Sequence, residues 1–186
     1  MRQPLLFLVL GLSLLPGCAS PDGATAAEKV AYTLKVRDEA LADLYERDPE
    51  ARQLVESAPG YVFASCFGLH PGFMTFANGY GLVQNNQTGE QTFIRLTRFA
   101  LGPGLAVKGY YALATLPDAA AIEACEQGRW YGGAFAEASF RFGDTGGTAA
   151  AETVSGQGHT WMWSHTGFAI EVAAGGGKIY PEDELN

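Results

Sequence analysis

Residues 98–111 read Arg98-Phe99-Ala100-Leu101-Gly102-Pro103-Gly104-Leu105-Ala106-Val107-Lys108-Gly109-Tyr110-Tyr111. Gly102-Pro103-Gly104 is a strong turn signal. The stretches on either side of it have the chemistry of strands. Gln91 to Leu101 is rich in Thr, Phe and Ile. From Leu105 to Thr115, the residues Leu105, Val107, Tyr111 and Leu113 share one face at period two. This pattern predicts a β core.

The same texture begins at Tyr61. Tyr61 to Phe67 is one apolar, aromatic run, and Gly72 to Val83 is another, closed by the polar turn Gln84 to Gly89. Further strands are predicted at Trp130 to Phe142, about Thr148 to Val154, Gly158 to Thr166, and Phe168 to Ala174. Most of the 24 glycines fall after residue 60, many inside these runs. Glycine in a strand marks a bend, a bulge or a close backbone approach. So many of them predict a strongly curved antiparallel sheet, barrel or sandwich-like.

Helices are predicted on the N-terminal side and at one insertion. From about Ala26 to Arg47, Val30, Leu34, Leu41 and Leu44 fall near one stripe, with Ala27 and Ala31 beside it. Asp48-Pro49 reads as an N-cap followed by Pro at the first helical position. A short helix to about Ala58 would turn Ala51, Leu54 and Val55 inward. Pro117 to Gln127 reads as a third helix, with Pro at its start and Gly128 just past its end. The fold class is therefore α+β: N-terminal helices packed on the β core, with one inserted helix.

The first residues have a different character. Arg2 precedes Leu5 to Leu15, which is almost wholly apolar. A membrane-spanning helix needs roughly 20 such residues, so this stretch fits the apolar core of a signal peptide. Leu15-Pro16-Gly17-Cys18 resembles the lipobox of bacterial lipoproteins, in which the Cys thiol is acylated and the chain is cut before it. The expected organisation is a lipoprotein signal peptide at 1–17, an acylated Cys18 and tether at 18–25, and one domain at 26–186. By resemblance to that pathway, Ala19, which is not acidic, implies the outer membrane, with the domain facing the periplasm. The seven tether residues Ala19 to Thr25 span roughly 14 Å as a flexible coil.

Charge narrows the partners. Without Arg2 the chain carries 11 basic against 20 acidic residues, a formal charge of −9. This disfavours nucleic acid and broad adsorption to anionic lipid. Two cysteines, Cys66 and Cys125, remain beyond the lipobox, and an oxidising periplasm permits a disulfide between them.

An ordered set of segments resembles the SYLF domain. Asp48-Pro49, Ala51 and then Val62-Phe63 resemble its opening. Residues 98–111 resemble its glycine-spaced strands. Asp118 to Cys125 followed by Trp130 resembles its helix and next strand. Trp163 to Val172 and Gly176 to Tyr180 resemble its closing segments. The resemblance covers about Val30 to Tyr180 and implies a mixed fold with a β core. It also implies lipid binding, which eukaryotic members direct at acidic phosphoinositides through basic residues. This chain departs from them: it is acidic, and His165 stands where a basic Arg is common. Lipid association in general carries over, and neither phosphoinositide specificity nor actin binding does.

Catalytic motifs are thin. There is no G-x-S-x-G, no H-E-x-x-H and no P-loop. Gly175-Gly176-Gly177-Lys178 lacks the spacing of a phosphate cradle and reads as a hairpin turn. No enzymatic activity, cofactor or metal is expected. His159, Trp161, Trp163 and His165 share one face of a strand, as an aromatic core, a sheet surface, or a lipid or partner contact. A zinc site on that strand fails on distance, because His159 and His165 lie roughly 20 Å apart along it. Glu171 is expected to point away from the side on which Phe168 packs. The candidate lipid or ligand contacts are Trp130, Trp161, Trp163, His165 and Lys108. The expected function is a membrane-anchored, non-enzymatic protein that binds lipid or an apolar ligand. The alternative is a structural or protein-interaction module of the outer membrane.

Overall fold

The structure is a computed structural model and describes residues 20–128, 130–142, 145–154 and 158–186. The expected signal peptide and Cys18 lie outside the described residues.

Helix α1 (Ala26–Arg47) begins at a complete capping box. The Thr25 hydroxyl accepts from Glu28 N, and the Glu28 carboxylate accepts from Thr25 N at 3.0 Å. Together these satisfy two of the helix's otherwise unpaired donors. Helix α2 (Pro49–Ser57) follows at once, with Asp48 as N-cap and Pro49 in its first turn, as the sequence predicts. The buried face of α1 is turned from the expected stripe. Thr33, Val36, Ala40 and Leu44 are buried, Val30, Leu34 and Leu41 are half-buried, and Ala27 and Ala31 are exposed. Small side chains let the helix approach the sheet closely. The Thr33 hydroxyl meets Lys29 O at 2.8 Å, so its burial leaves no donor unpaired.

The sheet has five antiparallel strands in the order β1-β2-β5-β3-β4. They are β1 (Gly60–Asn85), β2 (Gln91–Leu116), β3 (Trp130–Phe142), β4 (Thr145–Val154) and β5 (Thr160–Pro181). Helix α3 (Ala119–Glu126) connects β2 to β3 and is capped by Asp118, whose carboxylate accepts from Ala121 N at 2.8 Å. The α+β class holds. The strand count does not: three expected breaks are bends within continuous strands. Tyr61 to Phe67 and Gly72 to Val83 belong to β1, the runs on either side of Gly102-Pro103-Gly104 belong to β2, and the last two runs together with Gly175 to Lys178 belong to β5.

These bends create the curvature. A Cβ added at Gly60 would lie 2.5 Å from Gln84 O, at Gly79 2.6 Å from Cys66 Sγ, and at Gly81 1.8 Å from Phe63 O. The partners step inward toward Gly72, so β1 is doubled back with its two halves in backbone contact. Gly72 has φ +116°, a conformation that favours glycine, and the β1–β2 register shifts between Gly72 and Met74. Pairing does not close the sheet. β1 and β4 stand at its edges, each with one paired neighbour, so the expectation of a barrel is not supported.

Two cores result. Between the folded layers lie Ala64, Cys66, Ile94, Leu96, Tyr110 and Met162, with Ile122 of α3 beside Gly60 at one end. On the outer face, Val36, Leu44 and Val55 of the helices cover Phe63, Leu82, Phe93, Leu113 and Trp163. The helices cover the part of the sheet remote from the bends.

Candidate functional site

Around the bends, the usual sense of strand alternation is reversed. Outward positions are apolar and, among the described residues, uncovered. Leu69 pairs with Val107, which pairs with Phe168; Pro71 pairs with Leu105, which pairs with Ile170. Across the bend, Met74 pairs with Leu101 and Phe76 with Phe99, the last two rings 5.4 Å apart. Each of these large side chains is more than a third exposed, up to 64% for Phe73 and 72% for Ile170. Register makes them one continuous surface on three strands. Single exposed apolar residues are ordinary, but a contiguous patch marks an interaction site.

The inward positions of the same strands are polar and buried: His70 and Thr75 from β1, Arg98 and Lys108 from β2, Glu171 from β5. The Glu171 carboxylate is the hub. Its Oε1 lies 2.6 Å from Lys108 Nζ, and no other donor reaches that oxygen among the described residues. Its Oε2 lies 2.6 Å from His70 Nδ1 and accepts from the Thr75 hydroxyl at 3.4 Å. The other ring nitrogen, His70 Nε2, donates to Gly102 O at 2.8 Å. Both ring nitrogens thus face oxygen atoms of the cluster and of the backbone. Burial pushes the Glu171 carboxyl up, but the Lys108 charge and the hydrogen bonds from Lys108 and His70 outweigh it and hold it below its ordinary value.

This arrangement is not a nucleophilic triad. In such a triad the hydroxyl and the carboxylate meet opposite nitrogens of the ring. Here Thr75 Oγ1, 2.9 Å from Nδ1, shares that nitrogen with Glu171, and His70 and Glu171 have no exposed side-chain surface. A cavity of about 10 Å³, roughly the room of one water molecule, adjoins the cluster and is lined in part by Arg98, Lys108, Tyr110 and Glu171. The cluster reads as internal structure of the bend. It pairs the buried charges of Glu171 and Lys108 and satisfies a backbone carbonyl where the strand turns.

Several expected contacts lie elsewhere. Trp163 is buried beneath α1, with its indole N–H donating to Asp43 at 2.8 Å; Trp161 donates to Asp48 at 3.0 Å and is half-buried. Trp163 is part of the helix–sheet core, and Trp161 packs against it. Lys108 is buried against Glu171. His165 is half-buried and stacks on Tyr111 at 4.4 Å. The Trp130 side chain lies outside the described residues. No disulfide joins Cys66 and Cys125. Cys125 is on α3, whose Ile122 packs beside Gly60.

Sequence reading missed the apolar surface and the cluster beneath it. A usable signal was present: His70 stands between Leu69 and Pro71, and Glu171 between Ile170 and Val172. Polar residues flanked by apolar ones at period two define two faces. They do not say which face is covered, and Glu171 was expected outside the packed side, whereas it is Phe168 that is exposed.

No family model, curated protein or solved structure matched the chain.

Proposed function

We propose that the chain is a membrane-anchored, non-enzymatic envelope lipoprotein, acylated at Cys18, whose SYLF-like domain binds lipid. The observation that carries lipid binding is the continuous uncovered apolar surface around the bends of β1, β2 and β5. A surface of that composition gains roughly 25 cal/mol for each Å² removed from water. An acylated Cys18 followed by a tether of about 14 Å would keep it beside a bilayer, which raises the effective concentration of its ligand. The apolar surface itself carries no Lys or Arg, and the cations beneath it, Lys108 and Arg98, are buried, so binding there is apolar in origin.

The test is flotation of the acyl-free chain, carrying Cys18→Ser, with vesicles of neutral phospholipid at low and moderate salt. Binding that changes little with salt supports the reading, because only charge attraction is screened within about 8 Å at physiological ionic strength. Binding that required anionic lipid and vanished with salt would point to a local basic site instead. No binding, together with a protein partner retained on the same surface, would favour the outer-membrane interaction module.

A further inference from the structure

We infer that the bends of the sheet form a wedge that inserts into the hydrocarbon of the bilayer, so that the domain meets the membrane tip-first rather than lifting a lipid into a pocket. This rests on the lipid-binding reading above and adds its mode. Four observations point the same way.

First, every strand position facing outward between Leu69 and Phe76, Phe99 and Val107, and Phe168 and Val172 is apolar. In a chain that is acidic overall, so large a surface without one charged side chain suits hydrocarbon, where a charge is costly. Second, the polar groups of these strands point inward and pair with one another. Apolar-out, polar-in alternation is the pattern of strands that face lipid.

Third, part of the backbone polarity at the bends is already removed or met, which lowers the cost of leaving water, since each unpaired polar group in hydrocarbon costs several kcal/mol. Pro71 and Pro103 have no N–H to leave unpaired, and the Gly102 carbonyl is met from inside by His70. Fourth, the dimensions fit one leaflet. From the bend at Gly72, the apolar rows reach back three residues to Leu69, an apolar cap roughly 10 Å deep at about 3.3 Å per residue. That matches the roughly 5–10 Å of interfacial insertion and falls short of the roughly 30 Å needed to cross.

The experiment uses the full acylated chain in phospholipid vesicles, with Cys125→Ser to remove the half-exposed thiol. An environment-sensitive fluorophore is attached to Leu105→Cys at the bend or, in a second protein, to Glu56→Cys on the exposed face of α2. Quenchers are placed at two depths on the lipid acyl chain. Insertion predicts a blue shift and quenching at position 105, strongest with the shallower quencher, and neither at position 56. Because Ile170 is 72% exposed, Ile170→Asp leaves folding intact, and in the acyl-free chain it lowers vesicle binding by at least about tenfold. If vesicles bind the acyl-free chain while the probe at 105 stays in water, the wedge is wrong and lipid binding stands. A probe already dry before lipid is added, in a chain that sediments as a dimer, would make the surface a contact between copies and overturn the wedge. If the acyl-free chain does not bind but the anchored chain still buries position 105, insertion stands as a consequence of the anchor, and the reading of independent lipid affinity fails.

Discussion

Ile170 and Glu171 are neighbours on β5, and their environments are the reverse of their chemistry: the isoleucine is 72% exposed and the glutamate 3%. The pairing is sustained because the glutamate's charge is met inside by Lys108 and His70. What holds the isoleucine in water is less evident from folding alone. Its exposure costs stability that the fold could recover by covering it, and that loss is the physical reason to look for a partner outside the chain.

Glu171→Gln leaves the buried Lys108 ammonium without its counter-charge. Removing one partner of a buried pair costs about 3–5 kcal/mol. Urea unfolding at neutral pH is expected to show a loss of that size, with the m-value unchanged. A loss below about 1 kcal/mol would mean the cluster behaves as a solvated pair.

The same carboxylate sets a pH dependence. Glu171 is held below its ordinary value of 4.5. Its contribution to stability is therefore complete above that value and is lost as pH falls through the lower, folded value. Unfolding free energies measured from pH 6 down to about pH 3 are expected to fall more steeply for the native chain than for Glu171→Gln. Parallel curves would remove Glu171 as a source of the acid lability.

Gly81 is expected to be intolerant of a methyl group. The added Cβ would fall 1.8 Å from Phe63 O, a backbone atom that cannot rotate aside. Gly81→Ala should cost at least the roughly 1–3 kcal/mol of overpacking, seen as a lower melting temperature. A neutral Gly81→Ala would show that the two halves of β1 do not lie in backbone contact.

Trp163→Phe separates the helix–sheet core from the membrane surface. It removes the N–H that bonds the Asp43 carboxylate, a hydrogen bond to a charged group worth about 1.5–3 kcal/mol. Stability is expected to fall while vesicle binding by the folded protein is unchanged. Loss of binding without loss of stability would restore the tryptophan to the lipid surface.

The thiols offer an independent check on placement. Burial pushes the Cys125 thiol up to about 11. Its reaction with an aromatic disulfide reagent at pH 8 should be slow in the native Cys18→Ser chain. Denaturing the same protein without a reductant should release two reactive thiols, because no disulfide joins Cys66 and Cys125. Finding none would place a disulfide there and require α3 to lie closer to the middle of β1.

Sequence alone determined what local chemistry governs. Asp48-Pro49 marks where α2 begins, because orphan N–H groups need acceptors within a turn of the chain; the caps at Thr25 and Asp118 emerge only in the structure. Alternation between Leu105 and Thr115 sufficed to identify a strand. Only the tertiary structure decided that Gly72 and Gly102-Pro103-Gly104 bend strands instead of ending them, since the same residues serve a hairpin or a fold across a sheet. It alone decided which face is inside. Period two separates Ile170 from Glu171, but Glu171 is buried because Lys108 on β2 and His70 on β1 converge on it from 63 and 101 residues away in the chain. Ile170 faces outward beside Leu105 and Pro71 for the same reason, and no short-range pattern encodes that register.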